Sequence, residues 1–371
     1  IFVDLLFSYY GFIIVTAISL TPLDILHIIY LAIAVFGVFL VFGEKRFKAL
    51  LLLLSWHALE EIFNLIEELK VFSQLPLITP AIQLAVGPLY YLFAKNLIYG
   101  DIQLKKHLFH FLPVFIAIGF TAWWPQLMQI AFVIFLVYFF LTFRLLQHYH
   151  KVLAEITSDD ASYALKWLTR TFIVIGIIKI VDAVRLNVQL VVSYDVFYYQ
   201  YLVIEILSLF ITVYLTLMAV RHSHLFSGFR EFEETVIPQK NKLSNESSVE
   251  LEQARSIFSS INKHLQKTHG YRQAKYSLRQ LSEELGLTEQ MVSWSINQGG
   301  TLSFSDYINS LRIEEVKLSL LDKSQKKSIL DIAFEAGFNS KSTFNAVFKQ
   351  SLGVTPSQFI KKHPEIDFII E

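Results

Sequence analysis

Apolar positions divide the chain in two. Over residues 1–224 long apolar runs recur, at roughly 1–20, 25–43, 49–71, 77–98, 108–124, 127–147, 168–190 and 197–220. Each is near the ~20 residues a helix needs to cross the hydrocarbon core of a bilayer. A run of that length in lipid must be helical, because every backbone N–H and C=O there needs an internal partner. The first run has neither the basic n-region nor the small-residue cleavage site of a signal peptide. From about 249 onward the pattern changes to short amphipathic helices separated by Gly and polar turns, with no strand-like alternation. The expected fold is all-α: a polytopic transmembrane bundle of seven or eight helices, then a soluble domain. The expected boundaries are 1–224 for the bundle, 225–249 for a polar linker, 250–364 for the soluble domain and 365–371 for a tail.

Charge sharpens this division. The chain has 371 residues, 54% of them hydrophobic, with 32 Lys+Arg, 32 Asp+Glu and no cysteine. Residues 1–224 hold 14 basic and 14 acidic residues, and 225–371 hold 18 and 18. The second density is that of an ordinary soluble domain, about a quarter charged, and the first is half of it. The absence of cysteine excludes a disulfide scaffold, a thiol nucleophile and a cysteine-ligated zinc site.

Lys and Arg also orient the bundle. One set of connections carries Lys45, Arg46, Lys48, Lys95, Lys105, Lys106, Arg144, Lys151, Lys166, Arg170 and Arg221, whereas the opposite set (21–24, 72–76, 124–126 and 191–196) has none. Basic loops stay on the cytoplasmic side. The expectation is a multi-pass protein of the inner (cytoplasmic) membrane with its soluble domain in the cytoplasm. Its N-terminus is inside for eight spans and outside for seven.

Two segments of the soluble part share one pattern, Leu278 to Ile296 and Ile329 to Phe348. In each, a short amphipathic helix ends at a glycine, Gly286 or Gly337, suited to a left-handed conformation. Thr288 or Ser340 then stands where it can cap a second helix. Small residues, Ser282 and Ala333, lie where the two helices must cross. This is the pattern of a helix-turn-helix whose second helix can enter a major groove.

The pair resembles the AraC-type (AraC/XylS-like) DNA-binding domain. The matching residues are Ile332-Ala333, Gly337-Phe338-Asn339-Ser340, Phe344, Phe348-Lys349, Gly353 and Thr355-Pro356, with Phe304 to Lys317 resembling that family's linker helix. The resemblance covers about 250–362 and implies two helix-turn-helix units joined by a long helix. It also implies double-stranded DNA as partner, with RNA polymerase as a further partner if the output is activation. Gly87-Pro88 to Leu97 and His110 to Pro113 are similar to the multi-span domain ahead of AraC-type domains in some bacterial regulators.

Helical phase names the candidate contacts. In the proximal recognition helix Leu287, Val292 and Ile296 point inward, leaving Glu289, Gln290, Ser293, Trp294 and Asn297 outward. In the distal one Phe338, Phe344 and Phe348 point inward, leaving Lys341, Ser342, Asn345 and Lys349 toward solvent, with the cap Ser340 as a further candidate contact. Gln290 and Asn345 suit base edges, because amides pair two-fold with adenine. Lys341, Ser342, Lys349 and Arg312 suit phosphates, which position rather than specify. Trp294 and Ala346 stand where the family often has polar or basic residues. The segment 249–371 is nearly neutral, with 15 basic against 14 acidic residues. A basic face is the usual footprint of DNA binding, so one protomer alone is expected to bind weakly and a homodimer on a repeated site is expected.

Charges inside a bilayer are expensive and mark functional positions. The third run carries His57, Glu60, Glu61, Asn64, Glu67 and Glu68, the seventh Lys179, Asp182 and Arg185, and the eighth Glu205. Counted from the cytoplasmic ends, opposite charges lie at matching depths. The expectation is an internal polar cluster of Glu60, Glu61, Asn64, Glu67, Glu68, Lys179, Asp182, Arg185 and Glu205. It is a site for a small-molecule or membrane-derived signal, or an ion-pair network holding the bundle in register, or the third run is partly interfacial. Histidines 107, 110, 148, 150, 222 and 224 read as interfacial rather than as metal ligands. No cofactor is expected, and no phosphate loop, serine elbow or zinc-protease motif marks an enzyme. The leading reading is a membrane-bound transcription regulator. The alternatives are a transporter or polytopic binding protein, or a scaffold, with a degenerate helix-turn-helix domain.

Overall fold

The computed structural model describes residues 20–70, 77–100, 103–158, 165–189, 191–221, 233, 248–322 and 327–361. The first predicted run, almost all of the linker 225–249, and the tail 365–371 fall outside them. The described secondary structure is helical, apart from one isolated bridge between Thr157 and Ser277. The chain forms two compact units. One lies within Ile1–Phe143 and Trp167–Ser223, the other within Arg144–Lys166 and His224–Glu371. The second unit thus takes in a segment, 144–166, that sequence reading assigns to the bundle.

In the first unit α1 is Pro22–Val41. Thr21 caps it in a reciprocal box, accepting from the Asp24 N–H at 3.2 Å while Asp24 accepts from the Thr21 N–H at 2.8 Å. Both bonds satisfy N–H groups that a helix start leaves orphaned. Helix α2, Lys48–Glu68, packs along α1, and α8, Tyr194–Arg221, joins them through a 2.7 Å hydrogen bond between Tyr30 and Thr212. The fourth run is not one helix. It starts as α3, Thr79–Ile82, passes through a 3-10 turn at Gln83–Ala85, and continues as α4, Val86–Tyr99. Two causes are visible. Pro88 has no N–H to give to Leu84, and the Glu67 carboxylate accepts from the Ile78 and Thr79 N–H groups at 2.6 and 2.9 Å. A Cβ on Gly87 would stand 3.0 Å from the Phe135 Cα, so α4 approaches its neighbour as closely as only glycine permits.

The fifth run is likewise interrupted, a 3-10 stretch at Leu104–Phe111 leading to a short helix, α5, Leu112–Ile118. Helix α6 is Trp124–Leu153 and α7 is Lys166–Val188. Among the described residues four helices are long and apolar enough to cross a membrane: Pro22–Val41, Lys48–Glu68, Thr121–Leu153 and Tyr194–Arg221. These four fall short of the expected seven or eight: charges interrupt α7, turns interrupt the fourth and fifth runs, and the first run lies outside the described residues. Outward-facing apolar side chains are abundant on this unit, with Phe36, Phe39, Phe115, Phe140 and Phe210 all exposed and Phe39 at 74%.

In the second unit seven helices follow: α9 (Ser248–Thr268), α10 (Leu278–Leu285), α11 (Glu289–Gly300), α12 (Phe304–Leu321), α13 (Ile329–Glu335), α14 (Lys341–Leu352) and α15 (Pro356–Lys361). Helix α9 packs along α11, with Gly299 and Gly300 closing on Ala254 and Phe258. The distal core joins Ile313, Val316 and Leu320 of α12 to Ile332, Ala333, Phe344, Phe348 and Phe359.

A candidate nucleic-acid interface and a polar cavity

The two helix pairs α10–α11 and α13–α14 repeat one construction. Ser277 and Ser328 cap the first helix of each pair, and Thr288 and Ser340 cap the second. Between the helices Gly286 and Gly337 take positive φ, +65° and +101°. Equivalent bonds then close both turns, Leu287 N–H to Ser282 O at 3.0 Å and Phe338 N–H to Ala333 O at 3.1 Å. The small side chains at 282 and 333 are buried where the helices cross. Helix α12, capped by Ser303 through the Asp306 N–H, joins the pairs.

The distal recognition helix α14 turns Lys341, Ser342, Asn345 and Lys349 to solvent. Ser340 is half-buried, its hydroxyl accepting from the Thr343 N–H at 3.1 Å. The four exposed side chains lie on one face of three turns, the arrangement a groove-reading helix needs.

The proximal helix α11 departs from its expected phase. Gln290 and Asn297 are half-buried, while Ser293 is 1% exposed and Trp294 4%. The outward placing of Ser293 and Trp294 is thus corrected. The helix is enclosed on two sides, by α9 and by residues 154–158. Of these, Glu155 accepts from Asn297 Nδ2 at 2.9 and 3.1 Å and from the Ser293 hydroxyl at 3.4 Å. Leu287 is half-buried rather than inward.

Arg312 is also corrected. It is 2% exposed, and its guanidinium donates to Tyr271 O (2.7 Å), Gln273 O (2.9 Å), the Ser158 hydroxyl (3.0 Å) and Asn309 Oδ1 (3.3 Å). It fastens the interior of the domain where sequence reading expects a phosphate contact. Periodicity places 312 at the margin of the apolar stripe of α12, and only the loop carbonyls at 271 and 273 decide which way it turns. Burial, with hydrogen bonding to Glu315, pushes the neighbouring Tyr271 hydroxyl up to about 12, so it stays a neutral donor.

The first unit holds a cavity of about 490 Å³, in the range of small-molecule sites. All nine expected polar residues line it: Glu60, Glu61, Asn64, Glu67, Glu68, Lys179, Asp182, Arg185 and Glu205. Glu60 accepts from Gln83, which also accepts from Lys179 at 3.4 Å. Arg185 pairs with Asp182 at 2.7 Å and lies over the rings of Phe197 and Tyr201, 4.5 and 4.8 Å from their centroids. Glu67 is committed to capping α3, and Glu68 is exposed.

Sequence reading misses His27, fully buried and 2.5 Å from Glu61. Atoms of His27, Glu61 and Glu205 lie within 4.8 Å of one another, a grouping able to hold a cation. The only signal in the sequence is a histidine inside an apolar run. Of the histidines expected at the interface, His107 and His110 stack on each other and His148 pairs with Glu233 at 2.7 Å, while His222 and His224 fall outside the described residues.

The repeated turns, caps and connecting helix define two helix-turn-helix units joined by a long helix. Residues 281–362 match the family described as a helix-turn-helix domain, and this C-terminal domain is of AraC type. Ninety residues are 34% identical to uncharacterised HTH-type transcriptional regulators of Staphylococcus aureus strains MSSA476 and N315, covering 24% of this chain and 12% of each relative. Sixty residues are 43% identical to the melibiose operon regulatory protein of Escherichia coli K12, covering 16% of this chain and 19% of that one. The chain thus spans about an eighth of the length of the staphylococcal relatives. No solved structure matches it.

Proposed function

We propose that this chain is a membrane-embedded one-component transcription regulator, in which a helical bundle receives a signal and the AraC-type domain binds specific double-stranded DNA in the cytoplasm. One observation carries the reading. A chain with a DNA-binding domain also holds a unit whose outside is apolar and whose inside gathers charges from three distant helices around a cavity. A soluble protein rarely exposes contiguous apolar patches beyond a few hundred Å², so lipid is the surrounding that fits. The reading extends to seven or eight spans, an inner-membrane location and a homodimer, since a nearly neutral domain needs a second copy for affinity. RNA polymerase is a further partner if the output is activation.

The cavity is the site we assign to the signal. Six acidic residues line it against Lys70, Lys179 and Arg185. With Asp182 paired to Arg185, Glu67 capping α3 and Glu61 bonded to His27, Glu205 shares the lining with Tyr30, Tyr90 and Tyr201. Carboxylates with aromatic faces suit a ligand carrying positive charge.

Genomic footprinting in the native host tests the output. Enrichment at discrete sites that is lost when Lys341 and Asn345 are replaced is expected; no enrichment, or enrichment indifferent to those changes, refutes the regulator reading. For the input, Glu205→Gln and Arg185→Gln should abolish the response while membrane insertion stays normal. Loss of the folded protein instead would assign the cluster to the scaffold. On DNA, Gln290, Asn297 and Asn345 are the proposed base readers, with Ser340, Lys341, Ser342 and Lys349 at phosphates.

A further inference from the structure

Residues 154–158 connect α6 to the stretch leading into α7, and in the second unit they lie against the proximal helix-turn-helix. The contact is built from backbone. Ala154 O accepts from the Ser305 N–H at 2.9 Å and Ile156 O from the Leu278 N–H at 3.0 Å, while Ser158 N–H donates to Tyr276 O at 3.1 Å. The segment thereby satisfies N–H groups at the starts of α12 and α10, which a helix leaves without internal partners. Thr157 pairs with Ser277 in an antiparallel bridge, and Ile156, Thr157 and Ser158 are buried. The Ser158 hydroxyl donates to Tyr276 O and accepts from Arg312. Between these anchors Glu155 holds Asn297 and Ser293 of the recognition helix.

We propose that this segment is an inhibitory strap: docked, its Glu155 carboxylate occupies the polar groups of α11 that a DNA site would use and sets a negative charge where phosphates must approach. The strap continues from α6 and leads into α7, and both helices contribute to the cavity wall, through Trp124 and Met128 and through Lys179, Asp182 and Arg185. A ligand that changes the packing of α6 and α7 therefore acts on the strap through the chain itself. The inference rests on the regulator reading above and adds how its input reaches its output.

The test uses the full chain in lipid nanodiscs and a fluorescent duplex of random sequence. Glu155→Ala removes both the charge and the hold on Asn297, and the expected result is DNA binding at least about fivefold tighter than wild type, the lower end of ordinary allosteric coupling. A second variant locks the strap. The chain contains no cysteine, so Thr157→Cys with Ser277→Cys introduces the sole pair. These residues face each other across a bridge flanked by hydrogen bonds, and such pairs have the Cα separation a disulfide needs. The oxidised double variant should bind at least about tenfold more weakly than the same protein reduced. Equal binding by oxidised and reduced protein, or no gain from Glu155→Ala, overturns the strap. If that happens while Lys341→Ala still weakens binding, the regulator reading stands without it. Absence of DNA binding in every form, the reduced and Glu155→Ala proteins included, sinks both.

Discussion

Replacing Arg312 by methionine keeps most of the side-chain volume and removes every donor. The carbonyls of Tyr271 and Gln273, at 2.7 and 2.9 Å, lose their guanidinium partner, as do the Ser158 hydroxyl and Asn309 Oδ1. An unsatisfied buried acceptor costs about 1–3 kcal/mol. Two carbonyls and two weaker acceptors bring the loss to about 5 kcal/mol, and relief from burying a cation offsets about 2 of it. The expected net loss is about 3 kcal/mol, confined to the second unit. Trp294 supplies a local reporter, because the other tryptophans, Trp56, Trp123, Trp124 and Trp167, can be changed to phenylalanine in a common background. Urea titration followed by Trp294 fluorescence should show the midpoint falling by about 1.5 M at an ordinary slope of about 2 kcal/mol/M. The opposite result is equally definite. If the midpoint holds while the salt dependence of DNA binding drops by about one phosphate contact, Arg312 faces DNA and the fastening argument is wrong.

Lys341→Ala should weaken binding uniformly across DNA sequences and lower the salt slope by about one, whereas Asn345→Ala should cost about 1–3 kcal/mol at its preferred site and relax sequence choice at one position; a systematic binding selection compared between the two variants separates these outcomes. Gly337→Ala places a Cβ 2.6 Å from Tyr271 O on a backbone at φ +101°, so thermal unfolding of the second unit should show a loss of at least about 2 kcal/mol, and a loss below about 0.5 kcal/mol contradicts the turn geometry. Glu67→Gln replaces a carboxylate that accepts two N–H groups and the Thr79 hydroxyl, so the start of α3 should lose about 1–2 kcal/mol of local stability, read as faster amide exchange at Ile78 and Thr79 with the rate at Tyr90 unchanged.

The double helix-turn-helix is legible in the sequence because its determinants are local. Gly286 and Gly337 are where positive φ is required, and Thr288 and Ser340 are caps three residues from the N–H groups they satisfy. The cavity is legible for a different reason. A charge in an apolar run has few places to go, so helical stripes at matching depth point to one interior, and the nine residues do line one cavity. What escapes sequence reading is decided by distant backbone. The break before α4 depends on Glu67 reaching the N–H groups at 78 and 79, and no periodicity reports a carboxylate's choice between a cap and a cation. The burial of Ser293 comes from Glu155, 138 residues earlier in the chain. Helical phase assigns an outward face on the assumption that one side of a helix is covered, and α11 is covered on two.

The strap also bears on the near-neutral charge of the DNA-binding domain. Its contacts include three backbone hydrogen bonds and side-chain bonds from Ser158, Asn297, Ser293 and Arg312. At a net ~1 kcal/mol each they favour docking by about 7 kcal/mol, while ordering residues 154–158 costs about 1–2 kcal/mol per residue. The two totals nearly cancel, which is what a switch requires. A ligand must discriminate two states by about 5.5 kcal/mol to move a population from 1:99 to 99:1, and a strap held much more firmly would be beyond the reach of a small molecule. DNA competes for the same groups, so a strongly basic domain would pull itself off the strap without any signal. A domain with 15 basic and 14 acidic residues over 249–371 does not. The weak electrostatic footprint, read from sequence alone as a deficiency, is then the condition under which undocking depends on the helices of the first unit.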